Sequence, residues 1–314
     1  MGRVHRYVVY GDCIESGFCL TTLDAAPSAA CHDPVFLDYA AADFFVDRRP
    51  GRLQVDDWLR YAALADGSVY ISDDEVFETV ISPDGRRVVC ARRGDVDDRS
   101  FEASLLNFAL GASLTLRGEE PLHATVVELA GQAIGLLGAS GAGKSTLAAY
   151  LVAEGADLVT DDMLRITFAG DQALAHAGPH RLKLFDEPAQ RLLPGAVEQG
   201  HFSPLSGKVL IEPRAADPAD RGPRPLVALF ALAGASDRHA AASPSVRRVA
   251  GADLIKLLVA SAMDIRNGAP ERLARQLRFV ERTAAVLPVY ELRYRRDYGE
   301  LAGVADEIRR AIRS

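Results

Sequence analysis

The chain has 314 residues, of which 48% are apolar and 25% charged, which is enough for one large or two modest domains with hydrophobic cores. Its net charge of −7 provides no overall positive field, so nucleic acid and anionic membranes are not expected as partners. No stretch approaches the roughly 20 apolar residues of a membrane span and residues 1–6 are not followed by a signal-peptide apolar region, so we predict a cytoplasmic protein.

Residues 1–118 are predicted to form a smaller, β-rich α+β domain. Strands are expected at 68–72, 76–81 and 87–90, with residues 82–85, Ser-Pro-Asp-Gly, as the turn between the last two. Helical spacing of apolar residues predicts a helix over 101–116, and Trp58 is expected in the core. No residues here have catalytic spacing.

The cysteines all lie in this first region, and their spacing fits no C-x-x-C metal or redox pattern. We therefore expect buried free thiols, as in a reducing compartment. The four residues are Cys13, Cys19, Cys31 and Cys90.

Residues 119–314 alternate between strand and helix patterns, which predicts an α/β domain. Apolar runs at 124–129 and 132–137 indicate a hairpin, followed by a glycine-rich loop, a helix over 145–153 ending near Gly155, and a buried strand over 157–160. Further strands are expected at 226–232 and 289–292, and helices at 252–265, at 271–286 and from about residue 299. Residues 212–225 and 234–246 are predicted to be loops.

Residues 138–145 match the phosphate-binding pattern G-x-x-x-x-G-K-[ST] between a predicted strand and helix. Glycines let successive backbone amides point at phosphate oxygens, and the helix N-terminus adds its positive end. Lys144 would supply a cation to the β- and γ-phosphates of ATP, and Ser145 a hydroxyl ligand to Mg²⁺. The residues expected to contact the nucleotide are Gly138, Ala139, Ser140, Gly141, Ala142, Gly143, Lys144, Ser145 and Thr146.

Asp161 and Asp162 follow the strand after the loop helix, where a parallel neighbouring strand would bring them beside the phosphates. Adjacent residues leaving a strand point in different directions, so one carboxylate can face the metal and the other the acceptor hydroxyl, whose proton it would take. The alternative is a simple Asp-Asp turn or a helix cap before Met163. His123 precedes the hairpin. Taken alone it would be a structural histidine, and only its place next to these motifs makes it a candidate site residue.

These residues resemble the catalytic domain of HPr kinase/phosphorylase, a bacterial serine kinase related to phosphoenolpyruvate carboxykinases. The resemblance covers His123, the loop of residues 138–145, Glu154-Gly155 and the run 158–162. It implies an α/β P-loop kinase domain that uses ATP and Mg²⁺, with Lys144 and Ser145 holding phosphate and metal. One aspartate would be the base and the other a metal ligand; we favour Asp161 as the base and Asp162 as the ligand, and His123 would lie beside the pair and tune or orient a carboxylate. Residues 179–185 replace the family's arginine-containing signature and the first 118 residues differ from its regulatory domain, which argues against HPr as the acceptor.

The whole chain is more similar to the HPr-kinase-like proteins found beside lasso-peptide biosynthesis genes, some of which phosphorylate the C-terminal serine of a precursor peptide. This resemblance implies a serine-type hydroxyl of a precursor peptide as the acceptor. Arg181, Lys183 and Lys208 would neutralise the transferring phosphoryl group or hold an anionic acceptor, or are ordinary surface charges. A small-molecule hydroxyl kinase and a nucleotide-binding regulatory protein remain alternatives, and homo-oligomerisation stays open.

Overall fold

The computed structural model describes residues 4–26, 33–56, 59–203, 206–213, 222–233, 243–263 and 270–313. The chain divides into two compact units. The first consists of Met1–Pro121 and Asp264–Arg272, and the second of Leu122–Met263 and Leu273–Ser314. Helices and several sheets make it a mixed α/β protein. Across the described ranges, every helix is too short or too polar to cross a bilayer. Trp58 lies outside these ranges.

The first unit contains one eight-stranded sheet in the order β1-β2-β3-β8-β7-β6-β5-β4. Strand β3 pairs in parallel with both neighbours, and the other pairs are antiparallel. The predicted turn before β8 forms, since the Gly85 amide donates to the Ser82 carbonyl at 2.8 Å. The strands are β1 (His5–Val9), β2 (Asp12–Ser16), β3 (Val35–Tyr39), β4 (Gln54–Asp56), β5 (Leu59–Ala63), β6 (Val69–Asp73), β7 (Phe77–Ile81) and β8 (Arg87–Arg92).

One continuous helical stretch follows this sheet, longer at its start than the predicted helix. It consists of α1 (Asp98–Ser104), a π-helical turn (Leu105–Ala109) and α2 (Leu110–Leu116). The Asp97 side chain caps its start by accepting a hydrogen bond from the Ser100 amide at 2.9 Å. Most of the stretch is buried, which explains the apolar spacing in the sequence.

The expectation that the cysteines are buried free thiols is wrong for two of the described residues. Cys13 is disulfide-bonded, and Cys19 is free but exposed. Cys90 is free and buried as expected, and burial raises the pKa of its thiol. Cys31 lies outside the described ranges. Spacing along the chain does not report which thiols the fold brings together, so this pattern was not predictable from sequence.

The second unit has a main sheet in the order β11-β9-β10-β17-β13-β12, with β19 paired to the end of β17 and β18 to β19. Strand β10 runs parallel to β17, and β17 parallel to β19. The strands of this sheet are β9 (Ala124–Leu129), β10 (Gln132–Leu137), β11 (Asp157–Thr160), β12 (Ile166–Ala169), β13 (Gln172–Ala175), β17 (Arg224–Leu232), β18 (Ser245–Arg248) and β19 (Val289–Arg293).

A small second sheet has the order β14-β16-β15, formed by β14 (Leu182–Leu184), β15 (His201–Ser203) and β16 (Lys208–Ile211). Helices cover both faces of the main sheet, because alternate residues of β10 enter two separate cores: Ile134 and Leu136 one, Ala133 and Leu137 the other. The helices of this unit are α3 (Lys144–Ala153), α4 (Asp186–Leu192), α5 (Pro194–Val197), α6 (Gly251–Ser261), α7 (Pro270–Val286, which belongs to this unit from Leu273 on) and α8 (Leu301–Ala311).

Three predictions for this unit need correction. Residues 224–225 and 245–246 were expected in loops but belong to β17 and β18, where they gain backbone partners in the sheet. Helix α6 ends at Ser261, and residue 265 lies outside the described ranges. Strand β11 is not the direct neighbour of β10, because β9 lies between them, antiparallel to both. Strand β11 nevertheless runs in the direction of β10, so the two strands end at the same edge of the sheet.

Candidate functional site

The glycine-rich loop joins the end of β10 to the start of α3, as the sequence predicts. Its three glycines, Gly138, Gly141 and Gly143, have φ angles of +144°, +73° and +92°, which side chains with a Cβ rarely adopt. The Ala142 amide donates to the Ala139 carbonyl at 3.0 Å, closing a tight turn. Helix α3 begins at Lys144, so its unpaired amides and positive end meet the loop and favour an anion there.

A cleft of about 560 Å³, counting space open to solvent, lies over this loop. It is lined by residues of the loop and the start of α3, namely Ser140, Gly141, Ala142, Gly143, Lys144, Ser145 and Thr146, and by residues of other segments, namely His123, Asp162, Lys183, Leu184, Phe185 and Lys208. Gly138, Ala139, Asp161 and Arg181 do not contribute to the lining. Residues from β14 and β16, from just before β9 and from just after β11 therefore share one cavity with the loop.

The Lys144 side chain folds back into its own loop. Its ammonium donates to the carbonyls of Gly138 and Ala139 at 2.7 and 3.2 Å, and to Nε2 of His123 at 3.1 Å. Burial lowers its pKa, while the nearby charges of Asp162 and Asp161 act in the opposite direction. A cation is therefore held at the centre of the loop, where a phosphate would be bound.

His123 connects this lysine to the acidic pair. Its Nδ1 lies 2.9 Å from the Asp162 carbonyl oxygen. A lysine ammonium has no acceptor, so Nε2 must accept from Lys144, and Nδ1 carries the hydrogen that is donated to Asp162. Burial, and then the Lys144 charge, lower the pKa of His123. The neutral imidazole thus contacts the backbone of Asp162 and not its carboxylate, and the orienting role that the family resemblance implies stays a prediction.

The lowered pKa of His123 predicts a specific dependence of stability on pH. Below the ordinary pKa of 6.5, the unfolded chain binds a proton at this position while the folded protein does not, so the free energy of unfolding falls as pH decreases. In His123→Gln, which keeps polar groups but cannot titrate, we expect a smaller loss of stability between about pH 7.5 and pH 5.5. Urea unfolding of both proteins measures the difference, and equal losses would contradict the buried neutral imidazole.

The two aspartates occupy different environments. Asp161 is buried, and its carboxylate oxygens accept hydrogen bonds from the Thr125 hydroxyl at 2.6 Å and the Lys183 amide at 2.9 Å. Burial, followed by the charge of Asp162, raises its pKa to about 6. The predicted base therefore has both oxygens engaged and lies behind the cavity wall.

Asp162 faces the cavity and pairs with Lys183, whose Nζ lies 2.6 Å from Oδ2. Burial alone would raise the pKa of this carboxyl, but the Lys183 ammonium and other nearby positive groups outweigh it and keep the pKa well below its usual range. Its φ of +69° is uncommon outside glycine, although aspartate tolerates it better than most residues. The alternative of a helix cap before Met163 is wrong, because the chain continues into β12.

Two of the three predicted basic residues lie at the cavity. Lys183 and Lys208 line it, and the Lys208 ammonium also lies 5.2 Å from the ring centre of Phe185, which is 55% exposed. Arg181 is only 8% exposed, so it is neither a lining residue nor a surface charge. Sequence reasoning missed Thr125 and Phe185. Thr125 lies two residues after His123, and residues at this spacing in extended chain point the same way, which was the available signal.

The lining offers two oxygen ligands suited to Mg²⁺, the Ser145 hydroxyl and the Asp162 carboxylate. Within the described ranges, no cluster of three His, Cys, Asp or Glu residues could hold a metal by itself. Magnesium in phosphate-binding sites usually takes one or two protein ligands and completes its shell with phosphate oxygens and water. The residues present therefore fit a magnesium ion that arrives with a nucleotide.

Comparison with known proteins gives one distant structural similarity. No protein-family model matches the sequence, and no curated protein matches it. Among solved structures, the chain is similar to the Hpr(Ser) kinase/phosphatase from Coxiella burnetii, with a TM-score of 0.34 and 12% identity, over 61% of this chain and 95% of that chain. Likeness at this level carries no weight for function, which is therefore inferred from the cavity.

Proposed function

We propose that the protein is an ATP-dependent kinase that transfers the γ-phosphate of Mg²⁺-ATP to a serine-type hydroxyl. The observation that carries the proposal is the single cavity in which the loop residues 140–146 face Asp162, Lys183 and Lys208. Donor, metal and acceptor groups can meet there. In this proposal the second unit is an α/β P-loop kinase domain, and the first is a β-rich α+β domain preceding it.

The loop side would hold the donor. Backbone amides of the loop and the start of α3 would bind the phosphates, and Lys144 would exchange its bonds to the Gly138 and Ala139 carbonyls for stronger bonds to charged phosphate oxygens. Ser145 would hold Mg²⁺, with phosphate oxygens and water completing its shell, and the ion would neutralise charge on the β- and γ-phosphates.

The opposite side would hold the acceptor. The hydroxyl oxygen attacks the γ-phosphorus, the bond from that phosphorus to the β–γ bridging oxygen breaks, and the hydroxyl proton passes to a carboxylate. Asp162 is proposed as this base, because its side chain faces the cavity while both oxygens of Asp161 are engaged. When Lys183 turns from Asp162 to the transferring phosphoryl group, the pKa of Asp162 rises, and the carboxylate becomes a better proton acceptor.

We propose a precursor peptide of the lasso type as the acceptor. Support comes from the sequence resemblance, from Lys208 as a partner for an anionic group, and from the exposed Phe185 beside it as apolar surface for a side chain. A small-molecule hydroxyl would use the same chemistry. A nucleotide-binding regulatory protein is the second candidate, favoured by the Lys183–Asp162 ion pair, which occupies the carboxylate that catalysis needs.

Phosphoryl transfer from γ-labelled Mg²⁺-ATP tests the proposal. The acceptors are precursor peptides ending in serine, matched peptides ending in alanine, and a panel of hydroxyl metabolites. We expect label on the serine peptides alone, and its loss when EDTA removes the metal. Label on a metabolite would identify a small-molecule kinase, ATP binding without transfer would favour the regulatory protein, and absence of ATP binding would contradict all three.

A further inference from the structure

We infer a subsite for the nucleobase of the donor, formed by Arg296 and Tyr294 just after β19. The inference rests on the proposed function and extends it, because nothing above assigns residues to the nucleoside. Arg296 does not line the cavity over the loop.

The topology of the main sheet gives the direction in which the donor lies. Strands β10, β17 and β19 are parallel neighbours, so their C-terminal ends meet at one edge of the sheet, where open α/β folds bind ligands. The acceptor groups lie on the far side of the loop, beyond β9, where Asp162 follows β11. A triphosphate that points its γ-phosphate at Asp162 must extend its nucleoside the other way, towards the residues that follow β17 and β19.

Arg296 is held beside the loop at that edge. Its Nη2 donates to the carbonyl of Ala233, which follows β17, at 2.8 Å, and its Nη1 donates to the Tyr294 hydroxyl at 3.1 Å. A Cβ added at Gly143 would overlap Nη1, so the guanidinium directly contacts the loop glycine that precedes Lys144. The Arg296 side chain therefore contacts the residue after β17, the residue after β19 and the glycine-rich loop.

The charge of Arg296 is not neutralised as those of its neighbours are. Arg293 pairs with Glu291 and Arg295 with Glu300, whereas Arg296 has no carboxylate partner among the described residues. Its guanidinium carbon lies 4.8 Å from the centre of the Tyr294 ring, and the side chain is half-buried. A planar guanidinium supported by an aromatic ring, partly open to solvent, is suited to stacking on the π-face of a base.

A contact to the nucleobase can be distinguished from a contact to the phosphates by comparing a ligand that has a nucleoside with one that lacks it. Affinities for a non-hydrolysable ATP analogue and for inorganic tripolyphosphate, both with Mg²⁺, are measured by calorimetry for the parent protein, Arg296→Ala and Arg296→Lys. The matched control is Arg295→Ala, which removes the same charge one residue away. We expect Arg296→Ala to bind the ATP analogue about tenfold more weakly and tripolyphosphate as the parent does, with Arg295→Ala unchanged for both.

Arg296→Lys keeps the positive charge but lacks the planar guanidinium. It should also bind the ATP analogue more weakly and tripolyphosphate as the parent does. It serves as the deciding variant if thermal unfolding shows that Arg296→Ala is not folded. Equal losses for both ligands would overturn the subsite, since Arg296 would then support the loop or the phosphates, and unchanged binding of the ATP analogue would overturn it as well. A parent protein that binds neither ligand would contradict the proposed function, and the subsite with it.

Discussion

Replacing Lys144 with alanine is expected to weaken binding of Mg²⁺-ATP by about a hundredfold and to abolish phosphoryl transfer. The ammonium is the cation at the centre of the loop, and charge-assisted hydrogen bonds of this type contribute about 1.5–3 kcal/mol each. The loss is larger in the transition state, where the phosphoryl group bears more charge at this position. Calorimetry with a non-hydrolysable analogue and steady-state kinetics measure the two effects.

Lys256→Ala is the matched control for this prediction. Its side chain is 78% exposed on α6 and its carboxylate neighbour, Asp253, is 3.8 Å away, so removing it changes the net charge equally without touching the loop. Thermal unfolding of both variants separates a binding defect from a folding defect, which matters because Lys144 also bonds to His123. Parental affinity for ATP in a folded Lys144→Ala protein would contradict the loop as the phosphate site.

Asp162→Asn is expected to lower turnover by about 10²–10⁴-fold, the usual contribution of a general base. The substitution keeps the shape of the side chain but removes the charge that faces the cavity, so the hydroxyl proton has no acceptor. Nucleotide affinity is expected to change much less than turnover, since the loop and Lys144 carry most of the binding. Single-turnover kinetics and equilibrium binding on the same preparation test the separation.

Asp161→Asn is the comparison that makes this result informative. Asparagine has one acceptor oxygen where Asp161 uses two, so its oxygen can keep the hydrogen bond from the Lys183 amide while the bond to the Thr125 hydroxyl reverses its direction. The fold is therefore expected to tolerate the substitution. Turnover is expected to fall far less than in Asp162→Asn. If a folded Asp161→Asn protein instead loses more turnover than Asp162→Asn, the buried carboxylate is the base and Asp162 is not.

The strand–loop–helix unit was predictable because its signals are local. The strands at 124–129, 132–137 and 157–160 have the bounds that their apolar runs indicate. The two residues between the first pair, Ala130 and Gly131, form the turn with φ of +51° and +82°, as two-residue hairpins require. Glycine spacing likewise indicated the loop, since its geometry depends on backbone freedom that only glycine provides.

The parts that could not be predicted depend on contacts between distant segments. The position of β9 between β10 and β11 cannot be predicted from the pattern of apolar residues in any one strand. Which aspartate faces the cavity depends on Thr125 and the Lys183 amide, which engage Asp161, and on the left-handed backbone of Asp162. The burial of Arg181 and the packing of Arg296 against Gly143 likewise depend on segments that are far apart in the sequence.

A crystal structure with Mg²⁺ and a non-hydrolysable ATP analogue tests the central claim most directly. We expect the triphosphate in the curve of residues 138–145, the Lys144 ammonium moved from the Gly138 and Ala139 carbonyls onto phosphate oxygens, and the γ-phosphate facing Asp162 across the cavity. A triphosphate bound elsewhere, or one bound in the loop with its γ-phosphate directed away from Asp162, would contradict the kinase assignment.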